Sequence, residues 1–188
     1  MHNNISFGST LKPVPAKLFN QVIHQIGSER AVNYPWTLKE SRLAKDVYTT
    51  NVIDCSACVI SSGQESLLLH LDPSKEVNHA FSQVLAFLRD KIDLKNPNLQ
   101  AVLIGSKNTK KSQDIYNKFK TLLTNLNIPF SELKSGKTPT SVAYKSEKDT
   151  VYISNQTIDK ILKKGQTDKD AIHQSFDEVR IAPCDEIA

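Results

Sequence analysis

The side chains best suited to proton and thiol chemistry lie close together in one stretch. Thr49, Cys55 and Cys58 fall in the run Tyr48-Thr49-Thr50-Asn51-Val52-Ile53-Asp54-Cys55-Ser56-Ala57-Cys58-Val59-Ile60. His70 and Asp72 follow in Leu67-Leu68-Leu69-His70-Leu71-Asp72-Pro73. A cysteine attacks well only as the thiolate, and a neighbouring imidazole can hold it ionised. A third group that orients the imidazole completes such a centre.

The C-x-x-C of Cys55 and Cys58 admits other chemistry. A thiol–disulfide couple is one alternative, but such pairs usually sit at a helix N-terminus, where the dipole lowers the thiol pKa. Zinc bound by the pair with His70 and His79 is another, though a single C-x-x-C without a second tight pair is a weak metal signal. Both cysteines as core filler, with a satisfied core histidine, is the plainest reading. The surroundings are β-branched and strand-like. In a strand, residues three apart point to opposite faces, so the two sulfurs should diverge. Alternation puts Cys55, Ala57 and Val59 on one face and Ser56, Cys58 and Ile60 on the other. Cys58 then reads as a small buried hydrophobe. Cys55, at the strand start beside Asp54 and Ser56, is expected where a substrate can reach it. Cys58 stays the alternative nucleophile.

The elements that must hold these residues follow from hydrophobic spacing. Val47 to Ile53, Ala57 to Ile60 and Ser66 to Leu71 read as strands, with Ser61-Ser62-Gly63-Gln64 as a turn. A hairpin between the last two brings Cys55 and His70 side by side. Asp72-Pro73-Ser74 ends the strand and caps a helix carrying Val77, Phe81, Val84, Leu85, Leu88 and Ile92. Leu99 to Ile104 is a buried strand ending at Gly105, and Ile115, Phe119, Leu122, Leu123 and Leu126 mark another helix. Short strands follow near 130–133, 141–144 and 151–153. A short helix around Ile158, Ile161 and Leu162 and a strand over 176–181 close the chain. Before the core, Leu18, Val22 and Ile26 mark one helix face, stopped by Gly27. Residues 28–46, with Tyr34-Pro35-Trp36, read as a loop or short helix over the core. The class expected is α+β, a single domain with one mixed, largely antiparallel sheet.

Composition bounds the function. The chain has 188 residues, 39% of them hydrophobic and 23% charged, enough apolar surface for one sizeable core. Lys and Arg number 24 against 20 Asp and Glu, a net +4 with both signs interspersed. That balance does not mark a nucleic-acid binder. Three cysteines are too few for a disulfide scaffold, and Cys184 near the C-terminus reads as incidental. No ordinary secretory signal opens the sequence and no apolar run is long enough to span a bilayer. A cytoplasmic protein without membrane contact is expected; specialised secretion signals, often polar, are not legible here. Gly105-Ser106-Lys107-Asn108-Thr109-Lys110-Lys111-Ser112 lacks the second glycine and the G-K-[ST] ending of a phosphate loop, and reads as an ordinary βα turn.

The order Thr, Cys at a strand start, His at the end of the returning strand, then helix–strand–helix–strands resembles the CheD family of chemoreceptor glutamine deamidases. Those proteins share their fold and Cys–His centre with the cytotoxic necrotizing factor toxins, and the protein N-terminal asparagine amidohydrolases are similar. The resemblance covers roughly residues 47–154 by pattern order. Thr49 and Cys55 match the family's spacing, and His70-Leu71-Asp72-Pro73, Leu99 to Gly105 and Asn127-Ile128-Pro129-Phe130 match later landmarks. Ile53-Asp54 stands where the family has Gly-Ser, and the Gly-Gly before its His is absent. Aligning Cys58 instead improves the first of these but loses Thr49. The resemblance implies a deamidase-like core at 47–154, a lead-in and helix at 1–46, and a C-terminal helix and strand at 155–188 completing the same domain. It implies hydrolysis of a Gln or Asn carboxamide on a protein or peptide, with Cys55, His70, Thr49 and Asp72 as the site and no metal or organic cofactor. A decayed, partner-binding member of the same fold is the rival implication. Oligomeric state is not legible.

Overall fold

A computed structural model of the chain describes residues 10–32, 42–63, 66–71, 73, 77–105, 109–134, 139–155 and 181–182. In chain order the elements are β1 (Thr10–Pro13), α1 (Ala16–Ile26), β2 (Arg42–Ala44), β3 (Asp46–Val52), β4 (Ser56–Ser61), β5 (Ser66–Leu71) and α2 (Val77–Lys91). Then come β6 (Gln100–Gly105), α3 (Lys110–Asn125), β7 (Phe130–Lys134), β8 (Thr140–Lys145), β9 (Thr150–Ser154) and β10 (Ile181–Ala182). The class is α+β, but the strands form two mixed sheets where one was expected. A four-stranded sheet runs β1-β9-β8-β3 and a six-stranded sheet runs β10-β7-β6-β4-β5-β2. The β1–β9 and β6–β7 pairs are parallel; the other ladders are antiparallel.

The second sheet arises where β3 passes into β4. Strands separated by three residues usually pair, yet these two share no ladder. The register of β3 against β8 slips between Thr49 and Val52, and Asn51 takes a left-handed φ of 59°. Asn tolerates that region better than other non-glycine residues. The bulge reverses the side-chain alternation, so Val52 faces inward with Val47 while Asn51 is exposed. The chain then bends through Ile53-Asp54-Cys55 out of one sheet and into the other.

Three apolar layers result. The inner faces of the two sheets meet in a layer holding Val47, Val52, Val142, Tyr144 and Val151 from one side and Ala57, Val59, Leu68, Val102 and Ile104 from the other. The outer face of the six-stranded sheet packs Cys58, Ile60, Leu67, Leu69 and Leu103 against Val84 and Leu88 of α2 and Ile115, Phe119 and Leu123 of α3. On the far side, α1 lays Phe19, Val22 and Ile26 on Ala143 and Tyr152. Leu18, expected on that face, is 39% exposed; Phe19 takes its place at helical spacing to Val22 and Ile26. β4 and β5 are buried at every position because both faces are covered, which explains their near-continuous apolar sequence. Each such buried Leu or Ile is worth about 1.5–3 kcal/mol. No helix among the described residues is long and apolar enough to cross a membrane. The expected helix near 158–162 and Trp36 lie outside the described residues, as does the expected last strand except Ile181, which falls in β10.

Carboxylates fasten the layers. Asp149, at φ 42° in the turn between β8 and β9, accepts from the Tyr144 hydroxyl at 2.9 Å and from Gln100 Nε2 at 2.8 Å, tying one sheet to the start of β6. Glu132 on β7 accepts from the Tyr116 hydroxyl at 2.9 Å and from Lys120 at 2.5 Å, tying α3 to its sheet. Asp46 accepts from the Ser146 N–H at 2.9 Å and pairs with Lys145 at 3.2 Å. Burial pushes the Asp46 carboxyl up, but the Ser146 and Lys145 contacts outweigh it and hold the group below its ordinary value. A depressed carboxyl pKa stabilises the fold above the unfolded value, near pH 4, and that contribution is lost as pH falls through the folded value. Asp46→Asn is therefore expected to cost about 1–3 kcal/mol at neutral pH. In urea unfolding across pH, the gap between the two proteins should narrow steadily below pH ~4.

Candidate functional site

Thr49 points from β3 into the layer between the sheets, 1% exposed. Directly across that layer lies His70 of β5, fully buried. Thr49 Oγ1 is 2.7 Å from His70 Nδ1 and donates to the Val32 carbonyl at 2.7 Å. A side-chain hydrogen bond thus links the two sheets inside this buried layer. Val32 follows a 3-10 turn, Ser28–Arg30, and is moored to β3 by its own N–H, which donates to the Tyr48 carbonyl at 2.8 Å.

The β4–β5 hairpin pairs Ala57 with His70. Residues directly opposite share a face, and Cys55 shares the face of Ala57, so Cys55 and His70 are diagonal neighbours on adjacent strands. Cys55, Ala57 and Val59 all belong to the layer between the sheets, whereas Cys58 and Ile60 belong to the layer under α2 and α3. The two sulfurs of the C-x-x-C therefore enter different layers, and neither is part of a disulfide. Neither a mutual disulfide nor a shared metal ion suits that divergence. Cys58 is fully buried, and burial pushes its thiol well above the ordinary cysteine value. A thiol so placed is a poor nucleophile at neutral pH.

Cys55 is 6% exposed, so the open position expected from its polar neighbours is not what the structure has. The reason is its face: the side chain turns into the intersheet layer rather than outward. Ile53, two residues earlier, is 36% exposed and lies on the surface beside it in sequence. Asp72 and the side chain of His79 lie outside the described residues. Among the described residues, no cluster of three or more His, Cys, Asp or Glu could hold a metal ion.

Two contributors escaped the sequence. Val32 acts through a carbonyl that every residue possesses, so its type carries no signal. Gly105 ends β6 at φ 144°, opposite the start of β4. A Cβ there would lie 2.9 Å from the Cys55 carbonyl oxygen and 2.8 Å from Ser56 Oγ. Only a residue without a side chain lets β6 close on the Cys55–Ser56 peptide, and its place at the end of an apolar strand was the legible hint.

The chain matches no protein-family model and no curated protein. The fold and the geometry of the site therefore stand on their own.

Gly105→Ala should destabilise the protein by about 1–3 kcal/mol, from strain at positive φ together with overpacking. Gly63, at φ 83° with nothing within 4 Å of an added Cβ, supplies the control. Gly63→Ala should cost clearly less in the same denaturant titration, since only its backbone is strained; equal costs would mean the contact at Cys55 is slack.

Proposed function

We propose that the protein is a cysteine-dependent amidohydrolase that converts a Gln or Asn side-chain carboxamide, carried on a protein or peptide, to the acid with release of ammonia. The observation that carries this reading is the Thr49–His70 hydrogen bond at 2.7 Å with Cys55 on the same sheet face as the imidazole. The resemblance of the Thr–Cys–His order to CheD deamidases and cytotoxic necrotizing factor toxins points the same way.

The chemistry balances with this chain's own groups. His70 takes the Cys55 thiol proton, and the sulfur adds to the amide carbon. Backbone N–H groups around Asp54 to Ser56 are the available donors for the resulting oxyanion. Collapse breaks the C–N bond, and His70 returns its proton to the departing ammonia. Water then attacks the thioester, giving a proton to His70, and the carboxylic acid leaves as the thiol reforms. Thr49 is the orienting third member. No step calls for a metal or an organic cofactor.

A second reading has its own observation. Cys55 is 6% exposed and His70 fully buried, which suits a partner-binding protein that keeps the fold without turnover. Iodoacetamide labelling across pH separates the two. The hydrolase reading expects Cys55 to react faster than Cys184 at mildly acidic pH, and His70→Ala to abolish the difference. Ammonia release from Gln- and Asn-bearing proteins should vanish in Cys55→Ala. A Cys55 no faster than Cys184 would leave the binding protein as the surviving reading.

A further inference from the structure

The Thr49 hydroxyl has a single proton. A backbone carbonyl can only accept, so the proton on the 2.7 Å contact to Val32 belongs to Thr49. The same oxygen stands 2.7 Å from His70 Nδ1, and with its proton committed it can only accept there. The donor on that contact is therefore Nδ1–H. The opposite tautomer would set two lone pairs against each other, or turn the hydroxyl away from Val32 and leave a buried carbonyl unanswered. Thr49, His70 and Val32 are each no more than 1% exposed, so bulk water offers no substitute partner.

We propose that the Val32 carbonyl, acting through Thr49, holds neutral His70 in the Nδ1–H tautomer and makes residues 28–32 a positioning element of the site. Nε2 is then the lone-pair nitrogen available to take a proton. That use of Nε2 rests on the hydrolase reading; the tautomer itself does not. The segment is built for the task. The Ala31 N–H donates to the Ser28 carbonyl at 3.2 Å, Ala31 bridges in parallel to Tyr48, and the Val32 N–H donates to the Tyr48 carbonyl. These contacts leave the Val32 carbonyl aimed at Thr49, one position along β3. The lead-in, outside the stretch that carries the family resemblance, thus supplies a member of the hydrogen-bond chain.

Two-bond proton–nitrogen correlation spectra of the full chain with ¹⁵N-histidine test this directly. His70 should show a protonated, pyrrole-like Nδ1 and a pyridine-like Nε2 in the neutral ring. Thr49→Ser should keep that signature, and Thr49→Val should lose it. Val32→Pro, which removes the N–H bonded to Tyr48, should also lose it while the rest of the spectrum stays folded. Should Val32→Pro fail to fold, the two Thr49 variants decide the tautomer lock, and Ala31→Pro, which frees the segment one residue earlier, decides the part played by residues 28–32. A wild-type ring protonated on Nε2, a Thr49→Val ring unchanged from wild type, or a folded segment variant with the wild-type signature would overturn the proposal. Cys55 alkylation at mildly acidic pH should fall about tenfold or more in Thr49→Val. If wild-type Cys55 shows no selective reactivity while the tautomer is as expected, the hydrolase reading falls and the tautomer lock stands.

Discussion

An imidazole placed in a dry apolar layer must have its polar atoms answered by the protein, because water cannot reach them. At Nδ1, His70 meets that demand across the gap between two sheets, through Thr49, and Thr49 in turn meets its own through Val32. Three segments distant in sequence are fixed relative to one another by these two bonds. Residues 28–32, the edge strand β3 and the β4–β5 pair are arranged around them.

That arrangement needs the chain to change sheets between Thr49 and Cys55. The bulge at Asn51 and the bend at Ile53-Asp54-Cys55 make the change within six residues. They put Thr49 on the inner face of one sheet, and Cys55 with His70 on the inner face of the other. The same crossing splits the C-x-x-C. Because β4 is covered on both faces, its odd and even positions belong to different cores, and Cys55 and Cys58 have different surroundings although they are three residues apart. Gly105 then seals the junction by letting β6 lie against the Cys55–Ser56 peptide.

The site is polar but closed. Thr49 Oγ1 and His70 Nδ1 are held by short hydrogen bonds inside a packed layer, an arrangement that favours fixed orientation over access. On the hydrolase proposal, the general base needs orientation and the nucleophile needs to be met by substrate. The first is present in the resting geometry. The second falls to the Cys55 end, where Ile53 is exposed and the strand begins.

Much of this was legible in the sequence for local physical reasons. Short apolar runs, Ala57 to Ile60 and Leu67 to Leu69, marked β4 and β5 as strands, 3.6-residue spacing specified α2 and α3, and strand alternation separated Cys55 from Cys58. Pairing of β4 with β5 followed from the short turn at Gly63. What the sequence left open concerns contacts between elements far apart in the chain. Whether β3 continued into the sheet of β4 or left it depended on one left-handed asparagine, and a short connection looks the same in either case. Choosing Thr49 as the partner of Nδ1 required the spacing between two sheets, which no local pattern encodes. The Val32 carbonyl was invisible because backbone atoms are common to every residue. The burial of Cys55 was set by the sheet packed over it, not by its polar sequence neighbours. The sequence by itself determined which side chains were available and on which face of a strand each lay, since that parity is a local property of the extended chain. Only the tertiary structure decided which faces met, because that depends on how the sheets stack.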